Sequence, residues 1–199
     1  MAKQIKTKDN SVTLLNESLN ETYHSTSGAI EESFLKYAIP AKEYLKGNIV
    51  LFDVCYGLGY NAAAAVQVYF EQYTAGSLKI IGFEIDENLP NVRVPEYFQD
   101  VYSYPVNVVY GDARKTILNV KEKADVVFLD PFSPKKMPDL WTKEFLKSIY
   151  DKMKPNSILC TYSCARSVRD NLKAAGFVVE DGPKVARRGP STIARKLFK

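Results

Sequence analysis

Four carboxylates, Asp53, Glu84, Asp112 and Asp130, each close a short apolar run or stand just past its end. After the first comes Asp53-Val54-Cys55-Tyr56-Gly57-Leu58-Gly59-Tyr60-Asn61, where Gly57 and Gly59 permit a tight turn and let a ligand approach the backbone closely. Glu84 stands 25 residues beyond Gly59, where an acidic side chain can accept from both ribose hydroxyls of a nucleoside cofactor and would repel a phosphate. Asp112 follows Gly111 and is placed either to accept from an adenine amino group or to cap the next helix. Asp130 opens a proline-bounded loop, Asp130-Pro131-Phe132-Ser133-Pro134-Lys135-Lys136-Met137-Pro138, whose restricted backbone holds an aromatic ring beside a carboxylate. Such a carboxylate can attract an amine, orient it and take its proton directly or through water; its plainer role is to cap the next turn. Phe132 can stack on an unstacked nucleic-acid base, and Tyr162 can form an opposite wall. Tyr56 and Tyr60 flank the glycines, either against a cationic ligand or as core aromatics.

These groups work together only if a sheet brings the ends of the apolar runs to one edge. Ile49 to Phe52, Lys79 to Phe83, Val106 to Tyr110, Asp125 to Leu129 and Ser157 to Tyr162 are apolar almost throughout, which predicts parallel strands buried on both faces. Asn61 to Tyr73, Asp139 to Met153 and Ser167 to Ala175 have helical spacing, the last ending at Gly176 as a C-terminal cap. Before them, Gln4 to Thr7 and Val12 to Leu15 predict a hairpin, and Gly28 to Lys46 predicts helix broken at Pro40. Phe177 to Glu180 and Thr192 to Phe198 supply closing strands. The expected fold is α/β, Rossmann-like, with a mostly parallel sheet covered by helices on both faces. The expected layout is one domain over 1–199, with a hairpin and helical extension over 1–46 and the core over 47–199.

With 199 residues, 46% of them hydrophobic and only 10 Gly and 10 Pro, the chain excludes collagen-like, coiled-coil and wholly disordered classes. No apolar run approaches the ~20 residues of a membrane span, and Met1 to Asn10 lacks the apolar stretch of a signal peptide, so a cytoplasmic protein away from membranes is expected. Cys55, Cys160 and Cys164 form no CxxC pair and His24 is the one histidine; no metal site is expected, and the cysteines read as reduced core residues. His24 reads as structural, and Trp141 as core packing. The net charge of +4 gathers at the ends, at Lys3, Lys6 and Lys8 and at Lys184, Arg187, Arg188, Arg195, Lys196 and Lys199. If both ends share a face, they suit a phosphate-rich partner.

The strand-end series Asp53/Gly57/Gly59, Glu84, Asp112 and Asp130 resembles the S-adenosylmethionine-dependent methyltransferase superfamily, with Cys55 where the superfamily commonly has another glycine; that departure predicts a slightly wider loop. Within it, Leu129 to Trp141 resembles the loop of the MnmC-type tRNA methyltransferases. Asp9 to Leu14, Glu21 to Ser25, Gly28 to Ser33, Phe52 to Asn61, Ala174 to Phe177 and Arg187-Arg188-Gly189 are similar to other parts of that family. The resemblance implies S-adenosyl-L-methionine as cofactor and methylation of the aminomethyl nitrogen at C5 of the wobble uridine in the tRNA anticodon loop. It implies cofactor contacts at Glu31, Asp53, Tyr56, Gly57, Gly59, Glu84, Asp112 and Asp130, and chemistry at Asp130 and Phe132. Lys135, Lys136, Tyr162, Arg187 and Arg188 would meet the RNA. The family's familiar bacterial member adds an oxidase for which this chain has no room, so a separate enzyme is expected to supply the aminomethyl-uridine to a monomer or homodimer of this one. Two other readings stay open: a transferase acting on a small, polyamine-type amine, and a non-catalytic nucleoside-binding module.

Overall fold

The computed structural model describes residues 3–72, 75–185 and 189–198. Two sheets organise it. The smaller is an antiparallel meander of β1 (Lys3–Lys6), β2 (Val12–Asn16) and β3 (Glu21–Thr22). The first two are the predicted hairpin; β3 is an addition, since two residues are too short to show an alternating pattern. A helical stretch follows as α1 (Ala29–Ser33), one π-helical turn over Phe34–Ala38 and a 3-10 turn over Lys42–Tyr44, broken around Pro40 as expected.

The larger sheet takes β4 (Ile49–Val54), β5 (Leu78–Glu84), β6 (Asn107–Tyr110), β7 (Ala124–Leu129), β8 (Met153–Thr161), β9 (Val178–Asp181) and β10 (Thr192–Lys196) in the spatial order β6-β5-β4-β7-β8-β10-β9. The first five are mutually parallel and β10 runs antiparallel to both neighbours. β8 starts four residues earlier than its apolar run because Pro155 and Asn156, the latter at φ 56, are absorbed as a bulge with a register shift against β7.

Alternation along the strands explains the continuous apolar runs. Phe52, Val127 and Leu159 face α4 (Ala113–Asn119), α5 (Lys143–Asp151) and α6 (Arg166–Ala175), whereas Leu51, Phe128 and Ile158 face α2 (Tyr60–Glu71) and the early helical stretch. Both faces are covered, so neither position of the pleat tolerates polarity. A third cluster joins Leu14 and Ile30 to Leu58, Tyr60 and Phe98, seating the small sheet on α2; α3 (Gln99–Tyr102) lies beside it. The Tyr60 hydroxyl completes that seat, donating to Val12 C=O and accepting from Val12 N–H at 2.8 and 3.2 Å. The chain crosses from β4 outward to β5 and β6, then returns to β7 on the other side of β4; a crevice opens at such a switch point, beyond the strands' carboxyl ends.

Two expectations need correction. Cys164 is exposed in the loop after β8, so it is no core residue; Cys55 is half-buried and Cys160 buried. The tail cations Arg195 and Lys196 are not a free patch: Arg195 forks onto Glu180 and reaches the Tyr44 hydroxyl, and Lys196 Nζ donates to Tyr150 and Met153 C=O. Their backbones pair with Ile158 and Ser157 in the middle of β8, and the Lys196 side chain reaches on to Met153 at its start, away from the strand end at the crevice. Arg187 and Arg188 lie outside the described residues. Among the described residues no helix is long and apolar enough to cross a membrane.

Candidate active site

The crevice is a cavity of about 590 Å³. Its floor is the ends of β4, β5, β6 and β7, one wall is the small sheet from Asn16 to Ser25, and the opposite wall is the loop from Asp130 to Leu140. The turn after β4 holds Cys55 at φ 64, Gly57 at φ 55 and Gly59 at φ 79, so the left-handed backbone is reached at Cys55 without a glycine. At Gly57 a side chain would be strained and its Cβ would sit 3.3 Å from the Tyr23 ring. The Gly57 amide instead donates to Glu84 Oε2 at 2.8 Å, while Glu84 Oε1 accepts from Ile85 and Asp86 N–H at 2.8 and 3.0 Å. Three of the about four lone-pair positions of this carboxylate are thus used to aim it, and Oε2 keeps one for a ligand.

Asp112 lies on the cavity rim as the N-cap of α4, accepting from Arg114 N–H at 3.0 Å. The Arg114 side chain forks onto the same carboxylate and reaches Asp139 at 2.7 Å, strapping β6 to the far loop. The capping role offered for Asp112 is the one seen, and it starts α4.

Asp130 is held more deeply. Its Oδ1 accepts from the Tyr37 hydroxyl at 2.5 Å and its Oδ2 from Asn61 Nδ2 at 2.8 Å. Burial pushes its carboxyl up to about 7, the Glu32 charge adding to the rise and the Tyr37 and Asn61 hydrogen bonds opposing it. His24 Nδ1 stands 3.9 Å from Oδ2, and burial pushes that imidazole down to about 4, so it is neutral at pH 7. Behind them Glu32 and Lys36 form a buried pair, Glu32 also accepting from Ser25 N–H at 2.8 Å. Burial would raise the Glu32 carboxyl, but Lys36 outweighs it and holds the group below its ordinary value.

The far loop is propped from two sides. Glu21 of β3 accepts from Ser133 N–H at 3.0 Å and from the Ser133 hydroxyl at 2.7 Å, and Tyr23 meets the Phe132 ring edge-on at 5.0 Å. Trp141, buried as expected, donates from Nε1 to Phe132 C=O at 2.9 Å, and the Tyr162 hydroxyl donates to Pro131 C=O at 2.9 Å.

Of the residues singled out from sequence, Gly57, Glu84, Asp112, Asp130, Phe132, Lys136 and Tyr162 line this cavity. Asp53, Tyr56, Gly59, Glu31 and Lys135 do not. Asp53 is wholly buried beneath the floor, where burial and the Asp130 charge raise its carboxyl well above the usual range. Tyr56 lies over Gly82 and Gly59, two positions where a Cβ would collide with its ring. Glu31 is exposed, and its neighbour Glu32 faces the cavity instead. Sequence reasoning passed over Tyr37, Asn61, Glu21 and Arg114. Tyr37 carried a signal: a hydroxyl within an otherwise apolar helical stripe must find a buried partner.

Residues 97–197 match a family described as S-adenosyl-L-methionine-dependent methyltransferase. The chain superposes on the crystal structure of MnmC2 from Aquifex aeolicus with a TM-score of 0.89 and 34% identity, covering 98% of this chain and 70% of that one. It belongs to the MnmC-type S-adenosyl-L-methionine-dependent methyltransferases. An uncharacterised protein of Methanocaldococcus jannaschii is 35% identical over 96% of the chain, and the bifunctional tRNA 5-methylaminomethyl-2-thiouridine biosynthesis protein MnmC of Leptospira interrogans is 25% identical over 90% of it. The chain spans 59% of the length of the first and 33% of the second. This methyltransferase therefore uses S-adenosyl-L-methionine, and the residues present fit that cofactor: the cavity lies in the ~300–1,000 Å³ range of small-molecule sites, and its floor offers an aimed carboxylate and a side-chain-free backbone approach at Gly57.

Proposed function

We propose that this methyltransferase acts on tRNA, methylating the aminomethyl nitrogen at C5 of the wobble uridine to give 5-methylaminomethyl-uridine derivatives. The observation that carries the reading is Asp130, a carboxyl with its proton balance near neutrality, on the cavity wall one residue from the proline-held Phe132 loop. Kinship with proteins named for 5-methylaminomethyl-2-thiouridine biosynthesis supports the same substrate.

Glu84, Gly57 and Asp112 would hold the cofactor, Glu84 through ribose hydroxyls, Gly57 by close backbone approach and Asp112 at the adenine end. When bound, S-adenosyl-L-methionine supplies an electrophilic methyl group on a sulfonium. The chain's own residues must then present a neutral amine in line with it and keep water out. Ionised Asp130 attracts the substrate ammonium and accepts the proton that nitrogen has to shed before its lone pair is free. Phe132, braced edge-on by Tyr23, offers its face to the uracil ring. Lys135 and Lys136, both exposed on this loop, meet phosphates of the anticodon stem-loop. A separate enzyme supplies the aminomethyl-uridine.

The test is incubation with methyl-labelled S-adenosyl-L-methionine and tRNA lacking the final methyl, followed by nucleoside mass analysis. Label is expected in 5-methylaminomethyl-uridine, with tRNA affinity falling steeply as salt rises. Label in a small amine and none in RNA would replace this substrate with a polyamine-type one.

A further inference from the structure

Tyr37 lies 93 residues from Asp130 in sequence, yet its hydroxyl makes the shortest contact to that carboxylate, 2.5 Å to Oδ1. It reaches there from the π-helical turn, which is closed by a hydrogen bond from Ile39 N–H to Phe34 C=O at 2.9 Å. One extra residue in a turn advances every later side chain around the helix axis, and such insertions are concentrated at functional sites. The ring is wholly buried, edge-on to Phe128 at 5.4 Å. Burial, with the charges of Asp130 and Glu32, raises the phenol well above its ordinary value, so it remains a donor.

The same oxygen accepts from Tyr162 N–H at 3.3 Å. Tyr162 in turn donates its own hydroxyl to Pro131 C=O and meets Trp141 edge-on at 6.0 Å, and Trp141 donates to Phe132 C=O. One phenol thus joins the end of β7, the end of β8 and the loop carrying Phe132. With Asn61 on Oδ2, it leaves the carboxylate no freedom to spin where Asp130 lines the cavity.

We infer that Tyr37 is the positioning residue of the site: its hydroxyl sets the orientation of the Asp130 carboxylate and, through Tyr162, locks that carboxylate in register with the Phe132 loop. The inference rests on the reading of Asp130 as the group that orients the substrate amine and takes its proton. Other titratable groups bear on Asp130. His24 stands 3.9 Å away, the Glu32–Lys36 pair lies behind it, and the Asp53 and Cys55 side chains are raised in part by its charge. None of these supplies a donor to Oδ1, which Tyr37 alone does among the described residues.

Tyr37→Phe removes the hydroxyl and keeps the ring. In tRNA methylation, kcat is expected to fall ~10- to 100-fold with KM for tRNA within ~2-fold, because the carboxylate is misaimed while the RNA surface is intact. Losing a donor to its charged form also moves the Asp130 carboxyl titration to higher pH, read in the cofactor-free chain by ¹³C NMR of labelled aspartate side chains with Asp130→Asn used to assign the signal. Site-specific replacement of Tyr37 by 3,5-difluorotyrosine, a stronger donor of nearly the same size, should move that titration to lower pH, and it provides the test should Tyr37→Phe fail to fold. An Asp130 titration that moves in neither variant overturns the inference, even if Tyr37→Phe melts at a lower temperature, since that is what a merely structural tyrosine would do. If the unmodified chain methylates no tRNA, the substrate reading falls, while the carboxyl titration still decides whether Tyr37 governs Asp130.

Discussion

Asp130 combines two properties that an exposed aspartate cannot: it is nearly sealed from water and it is ligated by two neutral donors. Removal from solvent favours the protonated form, and the donors recover only part of that loss, which is why its proton equilibrium reaches neutrality. An acid limb with a midpoint near 7 is therefore expected in the pH profile of kcat/KM, which reports the free enzyme, rising as the carboxyl ionises. In Asp130→Asn that limb should vanish and the residual rate should be lower by ~10²- to 10⁴-fold, measured by single-turnover methylation. Stability carries a second signature. Between its ordinary 3.8 and about 7, Asp130 holds a proton in the folded chain that the unfolded chain has released, so this group lowers stability as pH rises. His24 does the reverse between about 4 and 6.5, because only the unfolded chain protonates it there. The two slopes oppose one another in the native protein. Asp130→Asn should expose the histidine's, so that the melting temperature climbs more steeply from pH 4 to 6.5 than in the parent chain; an unchanged slope would show that the two groups are not shifted in this way.

Elements enter the site by contact across long stretches of chain. The small sheet is the clearest case: β3 has two residues, yet Glu21 binds Ser133 twice and Tyr23 braces Phe132, so the loop's shape is set from 112 residues away. Glu21→Gln keeps the size and places an amide where a donor should find an acceptor. Losing a charge-assisted pair in a half-buried place should cost about 1–2 kcal/mol locally. The expected outcome is hydrogen exchange of Ser133 and its loop neighbours faster by roughly tenfold, with a global melting temperature shifted only slightly. Exchange confined to its parent rate would mean that Trp141 and Tyr162 hold the loop unaided. Continuous apolar runs and helical spacing made the β4 to β8 strands and three of the helices legible, because strands covered on both faces are apolar throughout and amphipathic helices bury a fixed stripe. The extent of α4 was not read although its cap, Asp112, was, and β3 escaped because two residues depend on a partner strand.

For the whole molecule, two cations of the basic tail are taken up in holding the sheet. Arg195 and Lys196 are consumed away from the crevice, where they hold β9, β10 and the segment after α5 together. Among the described residues the cavity lining includes Lys136 and Arg114; Arg114 is paired with Asp112 and Asp139, whereas Lys136 is exposed, with Lys135 exposed beside it on the same loop. Replacing both lysines by Ala should weaken tRNA binding and reduce the slope of log affinity against log salt by ~1.4 to 1.8, each lost phosphate contact contributing ~0.7 to 0.9. Arg195→Ala should leave that slope unchanged and lower the melting temperature, since it loses Glu180 and Tyr44. Filter binding across a salt series, paired with thermal melts, separates the two. Equal salt slopes in the lysine variant and the parent would move the RNA surface elsewhere.

The order of apolar runs and strand-end carboxylates determined the architecture, the crevice at the strand ends and the place of Asp130 on its wall, because a parallel sheet buried on both faces writes itself as unbroken apolar segments that end where polar groups reappear. Tertiary structure alone decided that Glu32 and not Glu31 faces the cavity, that Tyr56 turns away onto Gly82, and that Tyr37 and Asn61 ligate Asp130. Each of those outcomes is a choice between adjacent positions or between burial partners tens of residues apart. It is made by packing of the small sheet and the π turn against the core, a contact that leaves no periodic trace along the chain.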